Sequence, residues 1–153
     1  AYRRLVASGW ASPGSYILGI DNHWMKMALA WDMTNVGGTR FDANMDGLCI
    51  PGTWQFVAGT YDGKVLKLYV DGEMKIQNAA SGKINSAAEI SISQQGLDPG
   101  GGSFIGIMDE VRLYNRALND NEIKQAMEDP GAKAVSPETS LSTVWGALKG
   151  KPR

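Results

Sequence analysis

The chain has 153 residues, 43% hydrophobic and 20% charged, enough for one domain with its own core. Fifteen Lys and Arg against sixteen Asp and Glu leave a formal charge of −1, so no basic field draws it to nucleic acid. No apolar run reaches the roughly 18 residues needed for membrane insertion, and a single cysteine, Cys49, excludes an internal disulfide or a cysteine-based zinc cluster.

Nineteen glycines fall between short apolar runs, the punctuation of an all-β chain. The opening "AYRRLVASGW" carries neither an initiating Met nor a signal-peptide pattern, and reads as cut from something longer. "SYILGID" alternates, with Tyr16, Leu18 and Ile20 on one face. The turn "DNHW" leads into "MKMALAWD", where Met25, Met27, Leu29 and Trp31 share a face. Propensity makes helix the rival for that Met- and Ala-rich run, but its period of two predicts a strand.

"TWQFVAGTYDGKVLKLYVDGEMKIQ" predicts an antiparallel meander. Trp54, Phe56, Ala58 and Thr60 share one face of its first strand; Leu66, Leu68 and Val70 share one face of the second, with Lys67 and Tyr69 opposite. Asp62-Gly63 predicts a type I′ turn, and Asp71-Gly72 turns the chain again. "KIN" and "EISIS", with Ile90 and Ile92 alternating, continue the β pattern. "FIGIMDEVRLYNRAL" then reads as a late strand. Asn119 and Glu122 have capping-box spacing before "DNEIKQAM", Leu118 and Ile123 are placed as a hydrophobic staple, and Pro130-Gly131 ends the helix. Residues 130–153 read as a tail or linker, in which Trp145 and Leu148 could dock a short segment.

The order "WQFVAGTYDGKVLKLYVDGE", then "FIGIMDEVRLYNRAL" and "DNEI", resembles the laminin G-like, concanavalin A-like jelly-roll domains, most closely the bacterial branch found in secreted multidomain proteins. The resemblance runs from about Arg3 to Met127 and implies an all-β antiparallel sandwich over residues 1–129, with one short C-terminal helix. Such domains usually begin with further strands before the region like "RRLVASGW". Those strands have no counterpart here, so an exposed sheet edge and self-association through it are expected.

Strand periodicity sorts the acids of the late strand. Ile105, Ile107, Asp109, Val111 and Leu113 share one face; Met108, Glu110, Arg112 and Tyr114 share the other. Asp109 and Glu110 therefore point apart and cannot flank one scissile bond at the roughly 5–10 Å that glycoside hydrolysis needs. The acid pattern of glucanases with this fold, E-x-D-x-x-E-like, is also missing, which disfavours a glycoside hydrolase. Asp109 among apolar neighbours needs backbone N–H donors, an arginine, or a structural calcium ion such as related domains often carry. Glu110 and Arg112 read as a solvated charge pair.

"DANMDG", residues 42–47, matches the opening of an EF-hand loop through Asp42, Asn44, Asp46 and Gly47, although Thr53 stands where a bidentate Glu belongs. It reads first as a loop whose Asp and Asn bond their own backbone, and second as a calcium site. His23, the sole histidine, reads as an exposed turn residue; no G-x-S-x-G elbow accompanies it. The glycines of "DPGGGSF" read as a loop rather than a phosphate cradle. Sugar-binding modules stack pyranose faces on exposed aromatics. Trp10, Trp24 and Tyr69 are the candidate platforms; Trp31 reads as core, and the resemblance implies that Trp54 is buried.

The resulting expectation is a non-catalytic module of a secreted or cell-surface protein that binds a glycan or glycan-bearing surface. A protein–protein adhesion or assembly role, toward a cell-surface or matrix protein, is the alternative from another class. The fold alone does not choose among these roles.

Overall fold

The computed structural model describes residues 2–9, 13–21, 27–84, 90–93 and 102–128. Among these described residues, nine strands and one helix follow in chain order: β1 Tyr2–Ser8, β2 Tyr16–Asp21, β3 Ala28–Thr34, β4 Arg40–Met45, β5 Val57–Tyr61, β6 Val65–Val70, β7 Glu73–Ala79, β8 Ser91–Ile92, β9 Gly102–Ser103 and α1 Asp120–Glu128. They form an antiparallel sandwich of the jelly-roll kind. The larger sheet runs β4-β3-β2-β1-β8, with β9 pairing parallel with β1. The smaller sheet is the meander β5-β6-β7. β4 lies across from β7 and β6, and β3 across from β6.

Alternation builds the core between the sheets. The larger sheet contributes Ile20, Leu29, Trp31, Met33 and Ala43; the smaller contributes Leu66, Leu68 and Val70. The register Val57↔Val70, Gly59↔Leu68 and Tyr61↔Leu66 turns the odd residues of β5 to this same inner side. On its outer side, Tyr69, Leu118 and Ile123 form a second cluster, joined by Phe56, Ala58, Tyr114 and Ala126. Helix α1 thus covers the outer face of the smaller sheet, giving three layers.

Local chemistry explains the turns. Asp71 and Gly72 both take positive φ, 52° and 76°, as a two-residue type I′ hairpin between Val70 and Glu73 demands. The other Asp-Gly pair departs from expectation. Only Gly63 has positive φ there, and the Asp62 carboxylate instead accepts the Lys64 and Val65 N–H groups, both at 2.8 Å. Those bonds hold the Asp62 carboxyl below its ordinary pKa. The longer loop is an Asx-type closure rather than a type I′ turn.

The helix start follows the predicted box. The Asn119 side-chain oxygen accepts the Asn121 and Glu122 N–H groups at 3.0 Å each, and the Glu122 carboxylate accepts the Asn119 N–H at 2.8 Å. Leu118 and Ile123 are both buried, as a staple requires.

Two sequence expectations are corrected. "RFDANM" is strand β4, not a loop: it pairs with β3 from Leu29↔Met45 to Thr34↔Arg40, so Phe41 and Ala43 face the core. "FIGIMDEVRLYNRAL" is not a paired strand either. Among the described residues, no strand pairs with residues 105–118, and the face predicted to be inward is exposed, with Ile105 at 82% and Ile107 at 78%. A strand exists only where a neighbour completes its backbone ladder, and side-chain alternation alone does not supply one. The tail or linker expected over 130–153, with Pro130 and Gly131, lies outside the described residues.

Candidate binding site

Trp10 and Trp24, the first two candidate platforms, lie outside the described residues, as does His23. The third, Tyr69, is corrected. Its ring is fully buried under α1, and its hydroxyl donates to the Asp120 carboxylate at 2.8 Å. Burial pushes the phenol up in pKa, and the shared hydrogen bond holds the Asp120 carboxyl down. Tyr69 therefore pins the helix to the sheet and offers no face to a sugar. Trp31 is core, as read from its phase. Its indole N–H donates to the Thr60 carbonyl at 3.1 Å, and its ring lies against the bare Cα of Gly59.

Trp54 reverses the implication of the resemblance: it is 68% exposed. The turn that carries it is braced by the next side chain. Gln55 accepts the Ile50 N–H at 2.7 Å and donates to the Leu48 carbonyl at 2.9 Å, while the Thr53 N–H reaches the Ile50 carbonyl at 3.3 Å. Both ends of the Gln55 amide are thus bonded across the turn. The exposed indole sits on an ordered loop and not on a loose one, with exposed Ile50 in the same turn. Sequence periodicity could not find this, because Trp54 precedes the first residue of β5 and its phase carries no burial information.

The acids do not assemble. Asp109 is exposed, and its carboxylate accepts the adjacent Glu110 N–H at 2.8 Å, so the expected inward carboxylate is absent. Glu110 pairs with Arg112 at 2.7 Å, as expected of a charge pair. Arg112 also donates to the Ala126 carbonyl at 2.9 Å, placing positive charge at the end of α1, whose last turn has no basic residue. Asp42 and Asn44 stand at alternate positions of β4 and Asp46 follows in the turn, so no EF-hand-like loop forms. Among the described residues, no group of three or more His, Cys, Asp and Glu side chains gathers where it could hold a metal ion.

A shallow depression opens beside the ends of β2 and β3, lined by Ser15, Tyr16, Ile17, Asp32, Met33, Thr34 and Arg40. Its charges are already engaged, since Arg40 and Asp32 form an ion pair at 3.1 Å. Burial raises the Tyr16 phenol there. Among the described residues, no helix is long and apolar enough to cross a membrane.

Comparison with known proteins follows the fold. Human pappalysin-1 is 32% identical over 106 residues, covering 65% of this chain and 6% of its own length. Mouse pappalysin-1 is 30% identical over 114 residues, covering 72% of this chain and 7% of its own. The chain therefore corresponds to a small part of these curated relatives. A solved structure of residues 221–444 of an S-layer domain-containing protein from Clostridium thermocellum aligns over 76% of this chain and 57% of that one, at TM-score 0.42 and 21% identity. The family described as "Concanavalin A-like lectin/glucanases superfamily", of laminin G type, matches residues 1–124. The two-sheet sandwich and this match together make the chain a member of the laminin G-like, concanavalin A-like superfamily.

Proposed function

We propose that the domain is a non-catalytic binding module for glycans or glycan-bearing surfaces, working in a secreted or cell-surface protein. The observation that carries this reading is Trp54, a large aromatic face held out to solvent by a turn whose bracing side chain is spent on backbone hydrogen bonds. A pyranose stacks its C–H face on such a ring, and an ordered platform loses little freedom on binding. The Asp109 carboxylate holds the Glu110 N–H and Glu110 pairs with Arg112, so neither stands free as one of the two carboxylates that hydrolysis needs, which supports a binding role.

Affinity electrophoresis through gels containing soluble polysaccharides tests the reading. The domain is expected to be retarded by at least one β-glycan, and Trp54→Ala to weaken that retention about tenfold, the scale of one lost aromatic contact. Equal retention by Trp54→Ala would remove Trp54 from the site, and absence of retardation on every polysaccharide would end the glycan reading. A structural calcium ion is a separate proposal, for which the candidate oxygens are those of Asp42 and Asn44 at alternate positions of β4 and of Asp46 in the turn after it, without an EF-hand-like loop. Thermal melting with chelator and with added calcium decides it, and an unchanged midpoint sinks it.

A further inference from the structure

Trp54 stands close to a carboxylate that is held in place and only half engaged. Asp71 is exposed at the tip of the β6–β7 hairpin. Its Oδ1 accepts the Phe56 N–H at 2.9 Å, and its own N–H donates to the Phe56 carbonyl at 2.8 Å. The tip itself is buttressed. Gly72 lies against α1, where an added Cβ would stand 3.3 Å from Met127 Cε and 3.4 Å from Lys124 Cγ. Backbone bonds on one side and helix packing on the other therefore fix the Asp71 carboxylate without neutralising it.

Its second oxygen, Oδ2, has no hydrogen-bond or ion-pair partner among the described residues. The cations of this corner attend to Glu73 instead: Lys75 pairs with it at 2.6 Å, and Lys124 adds to the attraction. Trp54 precedes Phe56 by two residues, about 7 Å of extended chain at most. The exposed indole and the open Asp71 oxygen thus fall within the reach of one short stretch of glycan.

We infer that Asp71 is the hydroxyl acceptor of the Trp54 site and restricts that site to glycans without acidic groups. This rests on the glycan reading of Trp54 given above. Stacking on an aromatic face discriminates little, because pyranoses share an apolar C–H face. The carboxylate supplies the discrimination. It accepts hydrogen bonds and donates none, so sugar hydroxyls satisfy it, whereas a sugar carboxylate or sulfate meets like charge and sets acceptor against acceptor. A hydrogen bond to an ionised oxygen is also about twice as strong as one between neutral partners. Because the Phe56 N–H already holds Asp71 in one position, little side-chain freedom is lost when a sugar arrives.

Titration calorimetry tests this with two soluble polysaccharides, mixed-linkage β-glucan and glucomannan, each beside a form oxidised at C6 to the uronate. The unaltered protein is expected to bind at least one neutral glycan at least about tenfold more tightly than its oxidised form. Asp71→Asn keeps the turn, since Asn suits the same positive φ, and keeps an acceptor for the Phe56 N–H. It should leave the urea unfolding midpoint in place, weaken the neutral glycan about tenfold, and shrink the preference over the oxidised form to less than about threefold. A merely structural Asp71 would weaken both forms alike and preserve their ratio, which overturns the inference. So does Asp71→Asn binding that matches the unaltered protein. Equal binding of neutral and oxidised forms by the unaltered protein overturns it without any variant, so a misfolded mutant does not shelter it. In each of these cases, loss of binding in Trp54→Ala leaves the glycan reading standing. No binding of any of the four polysaccharides also overturns the inference, and the gel panel above then decides whether the glycan reading falls with it.

Discussion

Gly59 is a position where one hydrogen atom is all the space allows. A Cβ there would stand 2.4 Å from Trp31 Cδ2 and 2.7 Å from Cγ, and the ring is fixed by its bond to Thr60. Gly59→Ala is expected to lower stability by about 1–3 kcal/mol in urea unfolding, the usual cost of forcing volume into a packed core. Trp31→Phe in the same background should recover part of that loss, so the two changes should be non-additive. Trp54 is the opposite case. Its exposure predicts that Trp54→Ala changes stability by less than about 0.5 kcal/mol while it alters ligand retention. Cys49 lies between these extremes. Half-burial pushes its thiol up in pKa, so alkylation should be slow near neutral pH and quicken on unfolding.

At the scale of the element, α1 depends on its first turn. Asn119→Ala removes the acceptor for two N–H groups and should cost about 1 kcal/mol in the same unfolding measurement. Glu122 adds a pH dependence. Its bonds to Arg116 and then to the Asn119 N–H bring its carboxyl from 4.5 down to about 2. A depressed folded pKa stabilises fully above 4.5, and that contribution fades as pH falls toward about 2. Glu122→Gln should therefore flatten the acid side of a plot of melting midpoint against pH between those values; an unchanged slope would show that the contact is not maintained in solution.

This cap was legible in the sequence because Asn119, Glu122, Leu118 and Ile123 interact within five residues. The β5-β6-β7 meander was legible for the same reason, its pairings being joined by short loops. Strand β4 was misread although Phe41, Ala43 and Met45 alternate, because the polar set Asp42, Asn44 and Asp46 resembled a metal loop more strongly. Residues 104–114 show the limit most plainly. Their alternation gave the correct grouping of side chains, with Arg112 and Tyr114 toward the helix. It could not say whether a partner strand stood alongside, which is a property of the assembly and not of the segment.

For the whole molecule, burial predicts two opposite responses to shortening an aliphatic side chain. Leu68→Ala, within the closed core, should cost about 2–5 kcal/mol, whereas Ile105→Ala should stay within about 0.5 kcal/mol in the isolated domain. A large loss from Ile105→Ala would mean that something already covers that residue. The closure of the sandwich is itself lopsided. Along β4 and β7 the layers are tied by polar bonds: Asn78 to the Asp42 carbonyl at 2.8 Å, Asn35 to the Ser81 carbonyl at 3.0 Å, and the Val36 N–H to the Lys83 carbonyl at 2.8 Å. On the β5 side, the described polar tie between the layers is the one bond from the Trp31 indole N–H to the Thr60 carbonyl at 3.1 Å. Pulled apart, the domain should therefore behave as a book with its spine at β4 and β7: the free margin parts at low force, and the spine sets the rupture force. A module that tethers a surface would bear load best when anchored through that spine.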